Sequence, residues 1–568
     1  MNRASLAAAA VLRAALGEGL RAAAAALAAV LAALLLASCA GRQVAARPPD
    51  AAAATVTESV TESVTNAGSS VRLPTEALAI PVRQPAPPPP PPAPAPPSTP
   101  DAGFRQRRPE PAATQAPFAA PVPVERKLKS GARLLVVESH AAPLVAVDLL
   151  IGTGVDGDPE GKAGLAGFTA QALREGTRKR PSLKLAEELD DLAASLTVRV
   201  SLETSHLRLN CLRQTLPQAL DLLADVLQSP AFAKEDVDRV RGLLLTGLLQ
   251  KGSDPAALAA DELARRAWGG QHPWGQPAGG TPASLDRILV TDLVKFHETY
   301  YRPNNAILSV AGDVTPAEVH KLLEARLAGW KPKALPKPRL PPLPEPAARS
   351  IALIDRPGAT QSQLQAFLRG SAASGPDLLA LRVANAILGG QSGSRLDQAL
   401  RGGTGCSDAP RSHLTALRET GLITASGACE ARGTAEALAG LAGEFAAFEG
   451  GALREGELDR ARESLARALP TALESVDEVA GAMAGLAFLG LPLDDYRTLP
   501  DRLAKVDAAE VERVAKKYFG AVGLQLVVVG PRAEAEDKLR GLGLGPLEVP
   551  GEPPQPPPPP APAPPRAE

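Results

Sequence analysis

The chain has 568 residues, room for three or four domains at roughly 100–200 residues each. Its 57 prolines are clustered, 17 of them between Pro81 and Pro123 and another dense run from Pro553 to Pro565, so both flanks are too stiff and too poor in core-forming residues to pack, and the folded part runs from about Val124 to Gly545. Lys plus Arg 61 against Asp plus Glu 62 leaves a formal net charge of −1, and only 3% of residues are aromatic, which excludes the cationic groove and stacking platform of a nucleic-acid binder. The four cysteines, Cys39, Cys211, Cys406 and Cys429, contain no C-x-x-C pair, and with only 6 histidines a dense zinc or haem framework is excluded.

Residues 1–39 read as an export signal. An apolar Ala/Leu stretch, 22–38, follows Arg3, Arg13 and Arg21 and closes on Leu36-Ala37-Ser38-Cys39-Ala40. Small residues closing on cysteine resemble a bacterial lipoprotein signal. That resemblance implies cleavage before Cys39, lipidation of its thiol and a periplasm-facing protein anchored in the cell envelope, with Ala40 pointing to the outer membrane. The alternative is an uncleaved membrane anchor, at the lower edge of the ~20 residues a bilayer requires. Residues 40–123 then form a disordered Ala/Pro-rich linker whose polyproline stretch extends at about 3.1 Å per residue and stands the folded part off the membrane.

Within 124–330, segments 134–137 and 145–151 are apolar enough for strands, followed by a Gly-rich turn and a helix over 163–175. Leu185, Leu189, Leu192 and Leu196 recur at spacings of 4, 3 and 4, the period of a helix face, while Leu196, Val198, Val200 and Leu202 alternate with polar residues as a half-buried strand. Leu207, Leu209 and Cys211 alternate likewise, which makes Cys211 a small buried hydrophobe. Helices over 216–227 and 234–250 follow, and 292–301 runs into an apolar strand over 306–311. After a proline-rich linker, 331–347, the pattern starts again in 348–545. Strands fall at 351–354 and 362–367, a helix at 377–388 and a strand at 421–429, and 511–519 leads into a closing strand over 524–529. Two similar α+β halves of about 200 residues, followed by a disordered proline-rich tail, 546–568, account for this repetition.

The run Gly164-Leu165-Ala166-Gly167-Phe168-Thr169-Ala170-Gln171-Ala172-Leu173-Arg174-Glu175-Gly176-Thr177 resembles the active-site helix of the insulinase/pitrilysin family of zinc metallopeptidases. Catalytic members carry the inverted motif H-x-x-E-H there, with two His one turn apart holding zinc and a Glu activating water. In this chain the three positions are Gly167, Ala170 and Gln171. The family's third ligand, a Glu on a later helix ahead of an Asp-Pro turn, falls on Gly247, before Asp254-Pro255. Gly and Ala offer no donor, and an amide is a poor zinc ligand. The resemblance therefore implies a zinc fold with its ligands missing, no metal cofactor and no catalytic residue. His140, His206, His272, His297, His320 and His413 form no i, i+4 pair and read as surface or turn residues.

The likeness continues through Tyr301-Arg302-Pro303-Asn304-Asn305, Asp355-Arg356-Pro357-Gly358-Ala359-Thr360-Gln361-Ser362-Gln363, Asn385-Ala386-Ile387-Leu388-Gly389-Gly390 and Ser394-Arg395-Leu396. It implies an α+β fold of two tandem homologous domains of the mitochondrial processing peptidase type. The family's substrate-contacting Arg matches Arg401, but the Tyr seven residues on is Asp408 here, so Arg401 is left either to hold a peptide carbonyl or to form a surface salt bridge. Cys406 and Cys429 flank a hairpin centred near Arg418, and in an oxidising compartment they either bond or remain thiols.

The functional expectation is a non-catalytic peptidase homologue that encloses unfolded peptides together with a catalytic subunit carrying an intact H-x-x-E-H. The rivals are a stand-alone peptide-binding scaffold and an active peptidase with relocated ligands. For the last, no base paired with a polarising group is visible in the sequence.

Overall fold

The computed structural model describes residues 118–336, 340–345, 347–401, 406 and 408–550. The expected export signal with Cys39, most of the expected linker and the tail beyond 550 lie outside the described residues. The first half contributes β1 (Val124–Lys127), β2 (Arg133–Glu138), β3 (Leu144–Ile151), β4 (Ser195–Val200), β5 (Ser205–Leu212) and β6 (Ala306–Gly312). They form one sheet in the order β1-β2-β6-β3-β5-β4, in which β2 and β6 run parallel and the other neighbours antiparallel.

The second half repeats this plan with β7 (Ser350–Asp355), β8 (Gln361–Gly370), β9 (Asp408–Ala416), β10 (Gly421–Glu430) and β11 (Gln525–Gly530) in the order β7-β11-β8-β10-β9, with β7 and β11 as its parallel pair. The repeat fails at one edge. Where the first sheet has β1, the second has β12 (Leu547–Glu548), which runs parallel to β7.

Packing extends beyond both sequence-derived boundaries of the folded part. Ala120 is buried and its carbonyl accepts from Arg497 Nε at 3.0 Å, while Glu548 pairs with Arg266 at 2.5 Å.

Central strands β2, β3, β6 and β11 are largely apolar and buried on both faces, with Asp148 inside β3 and Ser309 inside β6 as polar exceptions, so each sheet needs a layer on either side. One face of each is covered from within. Val147 and Leu149 of β3 pack with Phe168, Leu223 and Leu293, and Leu364, Ile423 and Val528 pack with Leu381, Leu438 and Phe445.

The opposite faces are covered by exchange. Helix Val476–Leu489 of the second half lays Ala480, Met483, Ala484 and Ala487 on Leu135, Ala146, Leu150 and Ile307 of the first sheet. Reciprocally, helix Pro255–Trp268 of the first half lays Ala259, Leu263 and Ala267 on Ala352, Phe367, Val527 and Val529 of the second. In both helices the contact residues recur at i, i+3 or i+4, the spacing of one helix face. Leu340 and Leu343, in the segment between the halves, pack on the second of these clusters.

A polar pin crosses the first exchanged interface. Asp148, 1% exposed on β3, receives Arg208 Nε at 3.0 Å and lies 2.9 Å from His206 Nδ1, and Arg208 reaches on to Asp477 at 3.3 Å. Gly481 makes room for it, since a Cβ there would lie 2.5 Å from the guanidinium.

Two expected elements end early. Helix Ser182–Asp191 stops before Leu196, because Ala193 turns the chain with φ 48° and Leu196 becomes the second residue of β4. The helix expected to Leu388 is α-helical over Leu378–Asn385 and widens to a π-turn over Ala386–Gly390, where a Cβ on Gly389 would sit 2.7 Å from the Ser412 backbone.

Met483 is fully buried in the exchanged interface, so Met483→Ala should lower stability by about 3 kcal/mol in urea unfolding. Leu249→Ala, at a side chain 75% exposed, should stay within about 0.5 kcal/mol.

Candidate functional site

The helix that carries the family resemblance is Leu165–Leu173. It begins at Gly164, whose φ of +90° suits glycine and whose Cβ, if present, would meet the Gly279 carbonyl at 2.9 Å. Gly164 has no side chain to cap the helix. Asp158 does this from six residues upstream, its Oδ2 accepting from the Gly164 N–H and its Oδ1 from the Ala166 N–H, both at 2.7 Å. Leu165, Ala166, Phe168, Ala172 and Leu173 anchor the helix in the first-half core.

Gly167 and Gln171 lie one turn apart and partly exposed, while Ala170 is fully buried. The neighbouring helix, Lys234–Lys251, packs alongside, with the Arg241 guanidinium 5.1 Å above the Phe168 ring, and carries Gly247 on its exposed side. Residues 278 and 279 touch both helices. A Cβ on Gly167 would come within 4.0 Å of the Ala278 carbonyl, and one on Gly279 within 3.5 Å of Leu248.

The fold thus sets the two ligand-bearing helices of the family side by side and equips the four aligned positions with a single amide. Zinc sites draw three or four donors from His, Cys and carboxylate, so these residues do not fit the ion. Among the described residues no group of three or more His, Cys, Asp or Glu side chains is arranged to hold a metal.

The charge near this helix is acidic. Asp156 Oδ1 accepts from the Gly154 N–H at 2.7 Å, and Glu203 accepts from the backbone N–H and Nε of Arg418 at 3.1 and 3.2 Å. Arg418 stands at the tip of the β9–β10 hairpin, so the second half docks a cation into an acid pocket of the first. Its guanidinium also lies 3.8 Å from Asp156 and 4.7 Å from the Phe488 ring centre. Burial pushes the Asp156 carboxyl up to about 6 and that of Asp158 up to about 7, against the backbone hydrogen bonds that favour their charged forms. Asp156 and Asp158 line a pocket of 580 Å³ with Glu160, Gln276 and Arg287.

The remaining sequence-derived positions lie apart from this helix in the chain. Arg401 ends helix Arg395–Arg401, 64% exposed and paired with Asp397 one turn back at 2.7 Å, the salt-bridge arrangement. Asp408 opens β9. Cys406 and Cys429 are buried thiols hydrogen-bonded to each other, and no disulfide joins them in this structure. Cys211 is buried as expected, its thiol pushed up to about 12.

His140 and His413 are exposed and His272 caps the turn Pro273–Gly275, as expected, whereas His206 lies in β5 and His297 is buried in a helix. His297 lies in helix Val290–Tyr300, buried between Phe232 and Tyr301, where its Nε2 donates to the Leu227 carbonyl at 2.8 Å and burial pushes its pKa down to about 4. His272 is buried too and its Nδ1 accepts from the Trp274 N–H. Sequence reasoning missed Asp158, and the available sign was a helix opening on Gly with an acid in the turn ahead of it.

Two family models match the chain, "Insulinase (Peptidase family M16)" over residues 133–274 and "Peptidase M16 inactive domain" over residues 287–465, together more than half of it. An uncharacterized zinc protease of Mycobacterium leprae is 26% identical over 73% of this chain and 93% of its own length. A protein of Helicobacter pylori described as a non-peptidase homolog is 26% identical over 69% of this chain and 90% of its own. Among solved structures, a peptidase M16 inactive domain from Pseudomonas fluorescens superposes with a TM-score of 0.67 at 24% identity, covering 72% of this chain and 98% of that one, and supports the fold.

A carboxyl whose folded pKa is raised keeps its proton where the unfolded chain has lost it, so Asp156 and Asp158 make stability fall as pH rises from about 4 to about 7. Asp156→Asn and Asp158→Asn should each flatten that slope relative to the unmodified chain, as measured by urea midpoints across the window.

Proposed function

The chain belongs to the insulinase family, peptidase family M16, as a member without the zinc ligands, and on that premise we propose that it is a non-catalytic subunit which holds extended peptide and completes an enclosure with a catalytic chain carrying an intact H-x-x-E-H. The observation that carries this reading is the replacement of every aligned ligand and base, Gly167, Ala170, Gln171 and Gly247, on an otherwise preserved fold.

Two features support the peptide and partner roles. Edge strand β4 packs beside helix Leu165–Leu173 and, among the described residues, pairs only with β5, so its other edge offers backbone groups to an added strand regardless of peptide sequence. Ser195, Thr197 and Arg199 on β4 are exposed. The exchanged helices, for their part, prevent the two halves from hinging apart without baring both outer sheet faces. Enclosure of a peptide then requires a second chain.

In this reading the subunit works without zinc and sits in the cell envelope, tethered to the outer membrane through lipidated Cys39 and spaced from it by the proline segment. Among the described residues no helix is long and apolar enough to cross a membrane.

The test is peptide hydrolysis and binding by the full chain. A quenched unfolded peptide should bind without turnover, with or without added zinc, and a copy N-methylated at alternate residues should bind about ten-fold more weakly, as expected for two lost backbone hydrogen bonds. Addition of an H-x-x-E-H chain encoded beside it should give turnover above that chain's own rate. Chelator-sensitive cleavage by this protein alone would overturn the proposal, and binding without any stimulation would reduce it to a peptide-holding scaffold.

A further inference from the structure

We propose that Cys406 and Cys429 are a disulfide-forming pair whose oxidation staples the entry of β9 to β10, the outer hairpin of the second sheet.

Both side chains sit in the second-half core, Cys406 7% exposed and Cys429 fully buried, and their thiols are hydrogen-bonded to each other. The strand register brings this about. On one side β10 pairs Cys429 with Ser362 of β8, and the Cys429 thiol points at the Ser362 carbonyl at 3.8 Å. On the other side the β9–β10 ladder ends at Ala428 opposite Asp408, with a register shift between Ser426 and Ala428. Cys429 follows the last residue of β10 that pairs with β9, and Cys406 lies in the same core cluster as Cys429. The two cysteines are not a ladder pair, and it is the hydrogen bond between their thiols that sets the sulfurs side by side. Cys211 is a built-in control, because it belongs to the core of the other half.

The chemistry is thiol–disulfide exchange with an external disulfide, of a carrier protein or of a small thiol. The Cys406 thiolate, the less buried of the two, attacks one sulfur of that disulfide, forms a mixed disulfide and releases the first carrier thiolate. Cys429, after losing its proton to solvent, attacks Cys406 Sγ and expels the second. The pair gives up two electrons and two protons, and the carrier disulfide becomes two thiols. Burial disfavours both thiolates, so exchange is slow in the folded chain and fastest while β9 is still docking.

The closed loop contains β9 and the hairpin tip with Arg418, the residue that enters the acid pocket of the first half. The staple therefore constrains the unfolded chain around the contact that joins the halves.

The experiment incubates the full chain with oxidised glutathione, blocks remaining thiols with N-ethylmaleimide in denaturant near neutral pH, and maps tryptic peptides by mass spectrometry. Peptides 402–411 and 419–432 should be recovered joined, and Tm should rise by about 5 °C, reversibly with dithiothreitol. Cys406→Ala should abolish both effects and Cys211→Ala should leave both. Recovery of Cys406 and Cys429 as alkylated thiols, as separate glutathione adducts or linked to Cys211 would overturn the proposal. The map of the unmodified chain decides this even if Cys406→Ala fails to fold, and none of these outcomes bears on peptide binding.

Discussion

Two apolar faces that no local helix covers hold this protein together. Each half builds a sheet whose central strands are apolar on both sides, packs its own helices on one side, and leaves Leu135, Ile307 and Leu150 in one sheet, or Phe367, Val527 and Val529 in the other, for a helix from the opposite half. The hydrophobic term favours burial of both faces at about 25 cal/mol per Å² and has no preferred direction, so the position of each exchanged helix must be set by shape and by polar contacts. The alanine- and glycine-rich helix Val476–Leu489 supplies the shape. Asp148 with Arg208 and Asp477 at one interface, and Arg418 with Glu203 between hairpin tip and acid pocket, supply the polar contacts.

The same arrangement explains how the zinc site could be lost without losing the fold. Helix Leu165–Leu173 is held by Phe168, Leu165 and Leu173 in the core, by the Asp158 cap and by the close backbone approach at Gly164. None of these contacts passes through Gly167 or Gln171, which lie on the opposite, partly exposed side. Metal binding in this scaffold is an addition to a helix that packing already positions. What survives its loss is a shaped surface: an open β4 edge beside a helix, and a body that cannot hinge at its middle.

Much of this was legible in the chain, for identifiable reasons. Doubly buried strands such as β6 and β11 are largely apolar runs, and their repetition some 200 residues apart exposes the two-half plan. The degenerate motif was legible because a helix keeps its register. The exchange was not, because it joins residues such as Met483 and Leu150 that are distant in sequence, and because a helix of Ala, Gly and Leu shows little contrast between its faces. The Glu203–Arg418 contact spans 215 positions and carries no local pattern. Leu196 satisfied both a helical and a strand period, and the positive φ at Ala193 that decided between them has no mark in the residue type. Two-residue β12 is too short to show any period.

Cooperative unfolding of the separated halves is the most direct measurement of this account. Residues 118–336 and 347–550 would be produced apart and together, and each preparation followed through urea by far-ultraviolet circular dichroism, with fluorescence of Trp268, Trp274 and Trp330 reporting the first half. If each sheet depends on the other half for one of its faces, either half alone shows no sharp transition, and the mixture recovers one whose midpoint lies below that of the intact chain and rises with protein concentration. A half that unfolds alone in a single transition at the intact chain's midpoint would contradict the exchange as the basis of stability.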